Sequence, residues 1–227
     1  MILLGSIVNG GAVVVGGLVG MFVGKLLPER LRTSVMAALS LMTIGIAVPG
    51  LLKSNNALIP IISMVVGTLI GELLDIDSAV NKLGEKLQKR FSGSRVTEGF
   101  VTGSLVFAVG ALAVMGPLES GLQHQHSLLF SKSVIDGVAS IVFASTMGLG
   151  VALSGITVFV VEGSIALLAS VVAPYLGEAV VNEITFVGSL LIVGISLNLL
   201  GATKLRILNM VPAILLPILL CRFRFMG

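Results

Sequence analysis

The sequence predicts an all-α integral membrane protein with about seven transmembrane helices, a short C-terminal eighth or re-entrant segment, and inverted three-helix repeats. Of its 227 residues, 56% are hydrophobic and 11% are charged, whereas a soluble domain carries about 25% charged residues. Apolar runs of the length that crosses a bilayer recur between short charged clusters. The mean hydropathy is +1.11. A chain so poor in charge cannot cover a water-facing surface, so the lipid bilayer is its expected partner.

The apolar runs divide a single membrane domain, residues 1–227, into seven predicted spans and one shorter segment. The spans lie near residues 2–24, 33–52, 57–75, 98–116, 131–150, 155–173 and 184–201. The short segment at 208–221 contains two prolines, so an eighth span and a re-entrant hairpin both remain open. Cys221 is the only cysteine, which excludes an intrachain disulfide and a cluster of thiolate metal ligands. We expect neither a metal nor a cofactor.

Lysine and arginine are concentrated in alternate loops, which orients the predicted spans. The basic loops are 25–32, 76–97 and 202–207, whereas 117–130 and 174–183 contain neither residue. Because cytoplasmic loops carry the excess of positive charge, we predict that the N-terminus lies outside and the basic loops lie in the cytoplasm. The same bias accounts for the net charge of +3, so no nucleic-acid partner is expected. A full eighth span would place Arg222 and Arg224 outside, against this rule.

The two halves of the chain resemble each other in register. GSIV at 5–8 recurs as GSLV at 103–106, and VVGTLI at 65–70 resembles VEGSIA at 161–166. Ser34 and Val35 recur likewise as a Ser-Val pair at 133–134. A repeat of three helices must enter the membrane in opposite orientations, an architecture typical of secondary transporters and some channels. The predicted organisation is repeat one at 1–76, a basic cytoplasmic loop at 77–97, repeat two at 98–173 and a C-terminal helix pair at 184–227.

Glycines at four-residue spacing form ridges on two predicted helices. Gly16, Gly20 and Gly24 lie on the first, and Gly67 and Gly71 lie on the third. Such a ridge allows a second helix to approach backbone to backbone. Internal helix packing is the simpler explanation, and contact with a second copy in a homo-oligomer is the alternative.

Polar residues at membrane depth are the candidate binding groups. Lys132 and Asp136 share one face of the fifth helix because they are four residues apart. Glu162 lies in the sixth helix, and Asn9 and Asn198 lie in the first and seventh. Charged groups inside a bilayer cost a few kcal/mol, so they face the bundle interior or a water-filled cavity. Lys132 and Asp136 could instead form a structural ion pair, with Lys132 extended toward the outer interface.

Enzymatic chemistry finds no support in the sequence. His124 and His126 lie in a predicted outer loop, where a solvated role is the simplest interpretation. The chain has no G-x-S-x-G motif, and neither histidine lies at membrane depth to act as a base. We therefore assign no catalytic residue and predict that the protein is not an enzyme.

Five ordered motifs carry a resemblance to a known family: GSIVNGGAVVVGG at 5–17, GELLDI at 71–76, EGFVTGSLVFAVGAL at 98–112, KSVIDGVASIVFASTMGLGV at 132–151 and NMVPA at 209–213. Together they resemble the YdfK/YqgA family of bacterial multi-pass membrane proteins, the domain of unknown function 554. The resemblance covers essentially the full chain and implies a location in the bacterial plasma (inner) membrane. It implies no substrate, and no functional residue is carried over from it.

The leading functional hypothesis is a transporter of a small solute or ion, coupled to a proton or a cation, with its site between the inverted repeats. Asp136 or Glu162 would take up the proton or coordinate the cation, and Lys132 would adjust Asp136 or meet an anionic group. A channel with the same lining is one alternative. A non-transporting membrane scaffold or assembly subunit, in which the glycine ridges matter most, is the other.

Overall fold

The computed structural model describes residues 1–54, 56–82 and 95–222, and every regular element in these ranges is helical. In chain order the helices are α1 (Leu4–Lys25), α2 (Glu29–Leu51), α3 (Leu58–Leu74), α4 (Ile76–Lys82), α5 (Val96–Ala108), α6 (Ala111–Gln123), α7 (Ser127–Met147), α8 (Leu149–Leu167), α9 (Ala169–Val172), α10 (Glu178–Leu199), α11 (Ile207–Met210) and α12 (Leu216–Leu220), with 3-10 turns at Ala173–Tyr175 and Val211–Ile214.

Five of the described helices are long and apolar enough to cross a membrane: α1, α2, α7, α8 and α10. Two bent pairs, α3 with α4 and α5 with α6, raise the number of candidate spans to seven if each pair is one span. Helices suit this environment because each satisfies its backbone hydrogen bonds within itself. The predicted all-helical membrane class is confirmed, with five to seven candidate spans among the described residues.

Helix α1 packs parallel to α7. A Cβ atom on Gly20 would come within 2.2 Å of the Ile141 carbonyl oxygen, and one on Gly24 within 2.2 Å of the Ser145 carbonyl oxygen. Gly16 meets the backbone and a serine of α7 one turn earlier. This glycine ridge is therefore used for packing within the chain, and it is not left free for a second copy.

Helix α8 packs on another side of α1 and runs antiparallel to it. Gly10 of α1 meets Gly155 of α8, and Gly17 meets Ala152. Helix α5 in turn packs along α8. The helices α1, α7 and α8 thus form a compact group, and α5 packs against this group through α8.

The fourth predicted span is broken near its middle. The sequence predicts one helix near 98–116, but the structure has two: α5 ends at Ala108, α6 begins at Ala111, and their axes are bent by 61°. Val109 is extended and Gly110 has φ 127°, a backbone conformation that glycine adopts far more readily than other residues. The break leaves carbonyl groups at the end of α5 without their helical donors.

The fifth and sixth helices begin earlier than their predicted bounds of 131–150 and 155–173. Helix α7 ends at Met147, Gly148 makes the turn with φ 70°, and α8 runs from Leu149 to Leu167. Glu162 therefore lies in the last third of α8 rather than near its start.

The C-terminal segment runs antiparallel to α3 along its length. Gly71 of α3 meets Asn209, and Gly67 meets Ala213, so the segment advances toward the beginning of α3. Beyond it the Arg222 guanidinium lies 4.9 Å from the ring centre of Tyr175, which follows α9. The segment is interrupted by prolines and a 3-10 turn, and within the described residues it keeps one direction along α3. It is shorter than a candidate span, so the predicted eighth crossing stays a prediction.

The described parts of the three basic loops lie at one end of the molecule. Arg206 pairs there with Glu72 at 2.9 Å and with Asp75 at 2.5 Å. The remaining basic residues of the loop 76–97, namely Lys86, Lys89 and Arg90, lie outside the described residues. The predicted placement of this end in the cytoplasm stays a prediction.

The first three helices do not pack as a bundle of their own. Helix α1 packs mainly on α7 and α8, α2 mainly on α10, and α3 mainly on the C-terminal segment. Helices α5, α6 and α7, by contrast, all pack on α8. The inverted three-helix repeat stays a prediction, because the two sets of helices have different neighbours.

Candidate functional site

Four of the five predicted polar residues meet inside the group formed by α1, α7 and α8. Asn9 lies in the second turn of α1, Lys132 and Asp136 lie in the first half of α7, and Glu162 lies near the end of α8. Asn9 and Glu162 are fully buried, and Lys132 and Asp136 are each only 6% exposed. We call these four residues the polar cluster. It lies in the half of the molecule where α1 begins.

The Asn9 amide bridges the two carboxylates. Its Nδ2 atom donates to Glu162 Oε1 at 2.8 Å and to Asp136 Oδ2 at 3.1 Å. Both amide hydrogens are thereby used, one toward α7 and one toward α8. Helix α1 runs through Asn9 without interruption. Gly10, the next residue, allows α8 to approach, because a Cβ there would lie 2.9 Å from the Gly155 carbonyl oxygen.

The Lys132 ammonium group is the third element of the polar cluster. It donates to Asp136 Oδ2 on its own helix, and it lies 3.4 Å from Glu162 Oε1. It also donates to the carbonyl oxygen of Phe107 at 2.6 Å. In a continuous helix that carbonyl would accept from the backbone N–H of residue 111. Lys132 therefore occupies an acceptor that the break between α5 and α6 has released.

The formal charges of the polar cluster do not balance. Lys132 contributes one positive charge, and Asp136 and Glu162 contribute two negative charges when both are ionised. An uncompensated charge buried in a protein interior costs several kcal/mol, and the cost remains substantial in a bilayer. The polar cluster is therefore suited to hold one further positive charge.

Three buried oxygen atoms in or beside the polar cluster lack a hydrogen-bond partner among the described residues. They are Glu162 Oε2, Asn9 Oδ1 and Ser6 Oγ. Ser6 lies one turn before Asn9 on the same face of α1 and is fully buried. Buried polar groups are nearly always hydrogen-bonded, so this concentration of unpartnered oxygens indicates a place for a proton, an ion or water.

An apolar layer closes the polar cluster on the side of the basic loops. Val13, Phe107, Phe143 and Val158 come from four different helices and are each at most 3% exposed. The rings of Phe107 and Phe143 pack edge to face with centres 6.1 Å apart. Buried hydroxyls also lie on this side, on Ser140 and Ser154, and they donate to backbone carbonyls of their own helices at 2.8 and 2.7 Å. The apolar layer is thus flanked by hydroxyls whose hydrogen bonds are already made.

Polar contacts lie on the opposite side of the polar cluster, where α1 begins. Ser120 Oγ of α6 donates to the Ile2 carbonyl at 2.8 Å and lies 2.7 Å from His126 Nδ1. His126 precedes α7 and is half-buried. The predicted solvated role for both histidines fits His124, which is exposed, better than it fits His126.

Asn198 does not join the polar cluster. Its side chain bonds with the backbone N–H and carbonyl of Leu205, at 2.9 and 2.7 Å, and with the Thr203 hydroxyl at 2.7 Å. It thereby fixes the turn after α10, at the end where Arg206 lies. The prediction that Asn198 lines the same site as Asn9 is therefore corrected, because its contacts are those of a loop-capping residue.

A cavity of ≈ 440 Å³ lies beside Asn198 at the same end. Asp77, Arg95 and Thr102 are among its lining residues. Within the described ranges, no group of three or more His, Cys, Asp or Glu side chains could hold a metal ion. The remaining predicted packing residues, Gly67 and Gly71, lie against the C-terminal segment.

The Phe107 carbonyl is the member of the site that sequence reasoning missed. A backbone carbonyl becomes available only where a helix is interrupted, and the run VFAVGAL reads as continuously apolar. The signal that could have revealed it is Gly110, together with Pro117 in the next turns.

Known proteins are similar to this chain over nearly its full length, and one of them is named as a membrane protein. Residues 4–222 match the family described as "Protein of unknown function (DUF554)". The chain is 31% identical over 219 residues to the "Uncharacterized membrane protein YdfK" of Bacillus subtilis, covering 95% of this chain and 94% of that protein. It is 27% identical over 220 residues to the "Uncharacterized protein YqgA" of Escherichia coli, covering 94% of each. No solved structure is significantly similar to the chain.

Proposed function

This chain belongs to the DUF554 family, and starting from that membership we propose that it is a transporter of a small solute or ion, coupled to a proton or a monovalent cation. One observation carries the proposal: two carboxylates, an ammonium group and an amide meet at a helix break within a candidate membrane span. The polar cluster is the proposed ion site. An enzymatic role is not part of the proposal.

Ionisable residues at membrane depth are costly, and where they occur they commonly mark ion pathways and proton relays. Discontinuous helices are the second feature typical of transporters, because their released backbone groups help to bind substrate and coupling ions. In this chain both features coincide, since Lys132 bonds to the carbonyl released at the end of α5. A structural ion pair alone would need neither the second carboxylate nor the break.

Burial of the polar cluster favours a transporter over a channel. A channel requires a continuous wet route, whereas Asn9 and Glu162 are fully buried and an apolar layer covers one side. An occluded site is what alternating access requires between its two open states. The scaffold alternative loses its main support, because the glycine ridges of α1 and α3 are filled by the same chain. A homo-oligomer would have to use a different surface.

We place the protein in the bacterial plasma membrane, with its N-terminus outside and its basic loops in the cytoplasm. The excess of lysine and arginine in alternate loops supports this orientation. Under it, the polar cluster lies in the outer half of the membrane, and Arg222 lies outside. A cysteine-labelling experiment at positions 27 and 177 with a membrane-impermeant reagent tests it, and labelling of position 27 in intact cells would refute it.

Transport is tested with purified protein in vesicles that contain the pH dye pyranine. Gradients of Na⁺, K⁺, amino acids and organic acids are imposed one at a time, with the membrane potential clamped. We expect at least one gradient to move protons faster than in protein-free vesicles, and Glu162→Gln to lose that movement. If none of these gradients moves protons or its own solute through the wild-type protein, the transporter proposal fails and the scaffold alternative gains.

A further inference from the structure

We propose that the polar cluster binds a single proton, that Glu162 carries it, and that it is exchanged with the membrane side on which α1 begins. The inference rests on the proposed function only in treating this proton as the coupling ion. Proton binding itself requires no transport, and it is measured without any gradient.

The number of protons follows from the buried charges. One ammonium group faces two carboxylates, so a single bound proton makes the polar cluster neutral. A second proton would leave a buried positive charge, and no bound proton would leave a buried negative charge. One proton is therefore the state of lowest electrostatic cost for the occluded polar cluster.

Hydrogen bonding assigns the proton to Glu162 rather than to Asp136. Asp136 Oδ2 accepts from both the Lys132 ammonium and the Asn9 amide. Glu162 Oε1 accepts from the Asn9 amide and lies 3.4 Å from the Lys132 ammonium, while Glu162 Oε2 has no partner. Donors that approach a carboxylate closely favour its charged form, so Asp136 keeps its charge. The unpartnered Oε2 atom of Glu162 is the free position for the proton.

No other charged side chain among the described residues disturbs this balance. Helix α1 presents only Asn9 and Ser6 to the polar cluster, and α7 presents Lys132 and Asp136. Helix α5 presents the Phe107 carbonyl, and its Glu98 is exposed beside Arg95 at the basic end. On α6, Glu119 is only partly buried, and it takes no part in the hydrogen bonds and ion pairs of the polar cluster.

The proton's route follows from the asymmetry around the polar cluster. Toward the basic loops, the apolar layer cannot relay a proton, and the buried hydroxyls of Ser140 and Ser154 already donate to backbone carbonyls of their own helices. Toward the beginning of α1, Ser6 lies one turn before Asn9 with an unpartnered hydroxyl. Beyond it, the Ser120 hydroxyl lies beside His126. Hydroxyl and imidazole groups can both accept and donate protons, so exchange is expected on that side.

The test is infrared difference spectroscopy of the full chain in lipid nanodiscs, comparing neutral with strongly alkaline pH. A protonated carboxyl group absorbs separately from a carboxylate, and ¹³C labelling of either glutamate or aspartate carboxyls shifts the band of the residue that carries the proton. We expect one protonated carboxyl per chain at neutral pH, shifted by labelled glutamate and not by labelled aspartate. Because this comparison uses the wild-type protein, it does not depend on the folding of any variant.

Variants then locate the proton. Glu162→Gln and Asp136→Asn each leave one carboxylate opposite Lys132, so both should lose the band. Glu183→Gln is the matched control, because Glu183 is also buried, at 4% exposure, and lies on α10 outside the polar cluster. The control should retain the band. For exchange, Ser6→Ala should slow the hydrogen–deuterium exchange of this carboxyl at least severalfold.

Four results would overturn the proposal. They are a band that survives in Glu162→Gln, a band that shifts with labelled aspartate, a band that persists in Asp136→Asn, and a band that Na⁺ removes at constant pH. The last would make the site one for a metal cation. If the band behaves as expected while no solute gradient drives flux, proton binding stands and only the transport proposal fails.

Discussion

Lys132 and Phe107 are joined by a 2.6 Å hydrogen bond from the side-chain ammonium to the backbone carbonyl. This bond links the buried charges of α7 and α8 to the break between α5 and α6. A change in the charge of the Asp136 or Glu162 carboxylate alters its attraction for the Lys132 ammonium. Lys132 in turn is hydrogen-bonded to the end of α5. The polar cluster and the broken helix are therefore expected to respond together.

Removing the ammonium group should destabilise the protein strongly. In Lys132→Met, two buried carboxylates lose their counter-charge and the Phe107 carbonyl loses its donor. Loss of one partner of a buried ion pair costs about 3–5 kcal/mol, and we expect a loss of that size. Thermal unfolding in detergent measures it. Lys25→Met is the control, since Lys25 is exposed at the end of α1 and its removal should cost under about 0.5 kcal/mol.

A second substitution should partly rescue this loss. Lys132→Met with Asp136→Asn removes one charge of each sign, so the coupling between the two positions should recover about 0.5–3 kcal/mol relative to the sum of the single changes. A double-mutant cycle of unfolding free energies gives this value. Strict additivity would show that the two side chains do not interact.

The packing of α1 against α7 predicts opposite results for two glycines of one helix. A Cβ on Gly20 would lie 2.2 Å from the Ile141 carbonyl oxygen, so Gly20→Ala must push the helices apart and should cost about 1–3 kcal/mol. Gly11 has no atom within 4 Å of a Cβ, so Gly11→Ala should be neutral or stabilising. Equal effects of the two changes on thermal unfolding would contradict the close contact of α1 with α7 at Gly20.

The break itself depends on Gly110. Its φ of 127° and ψ of 165° form a conformation in which other residues are strained by about 1–3 kcal/mol. Gly110→Ala should therefore destabilise the protein and displace the Phe107 carbonyl from Lys132. Gly177→Ala provides the comparison, because Gly177 has φ −63° and open space around it. Should Gly110→Ala unfold at the wild-type temperature, residue 110 would not have this backbone conformation.

At the basic end, Asp75 predicts a pH-dependent contribution to stability. The Ser78 hydroxyl, together with Arg206, holds the pKa of the Asp75 carboxyl below its usual value. The carboxylate form is thus favoured by folding, so its contribution is present above the unfolded-state pKa and is lost as the pH falls through the lower folded-state pKa. Asp75→Asn should lower the unfolding temperature at neutral pH and not in strong acid. A difference that does not change with pH would contradict this.

Asparagine is chosen at position 75 because it also preserves the backbone conformation of the wild-type residue. Residue 75 has a left-handed conformation, with φ 46°, which asparagine tolerates better than most residues. Because Asp75 is exposed, we expect the effect to be modest and to weaken at high salt. Measurement of unfolding temperature at two salt concentrations checks the electrostatic origin.

Composition and hydropathy were sufficient to predict the helical membrane class, because few charges and long apolar runs leave no other solvent than lipid. They were also sufficient to select Lys132, Asp136, Glu162 and Asn9, since polar residues at membrane depth are rare. That these four side chains meet depends on tertiary packing. Glycines at the contacts of α1 with α7 and α8 bring the helices close enough, and single-chain periodicity does not reveal which helices are neighbours.

Three features lay beyond sequence reasoning for identifiable reasons. The break at Gly110 interrupts a run that hydropathy reads as one helix, because glycine is common in continuous membrane helices. The bounds of α7 and α8 depend on a turn at Gly148, one glycine among 28. Asn198 resembles Asn9 in sequence context, and only the fold shows that its side chain caps the loop leading to Leu205.

The central claim is that Glu162 in the polar cluster carries the coupling ion, and a paired flux measurement tests it most directly. Initial rates of pyranine-reported proton movement are compared between Glu162→Gln and Glu183→Gln, both reconstituted at equal density in the same lipid. We predict that Glu162→Gln falls to the rate of protein-free vesicles while Glu183→Gln keeps the wild-type rate. Wild-type flux in Glu162→Gln would contradict the claim.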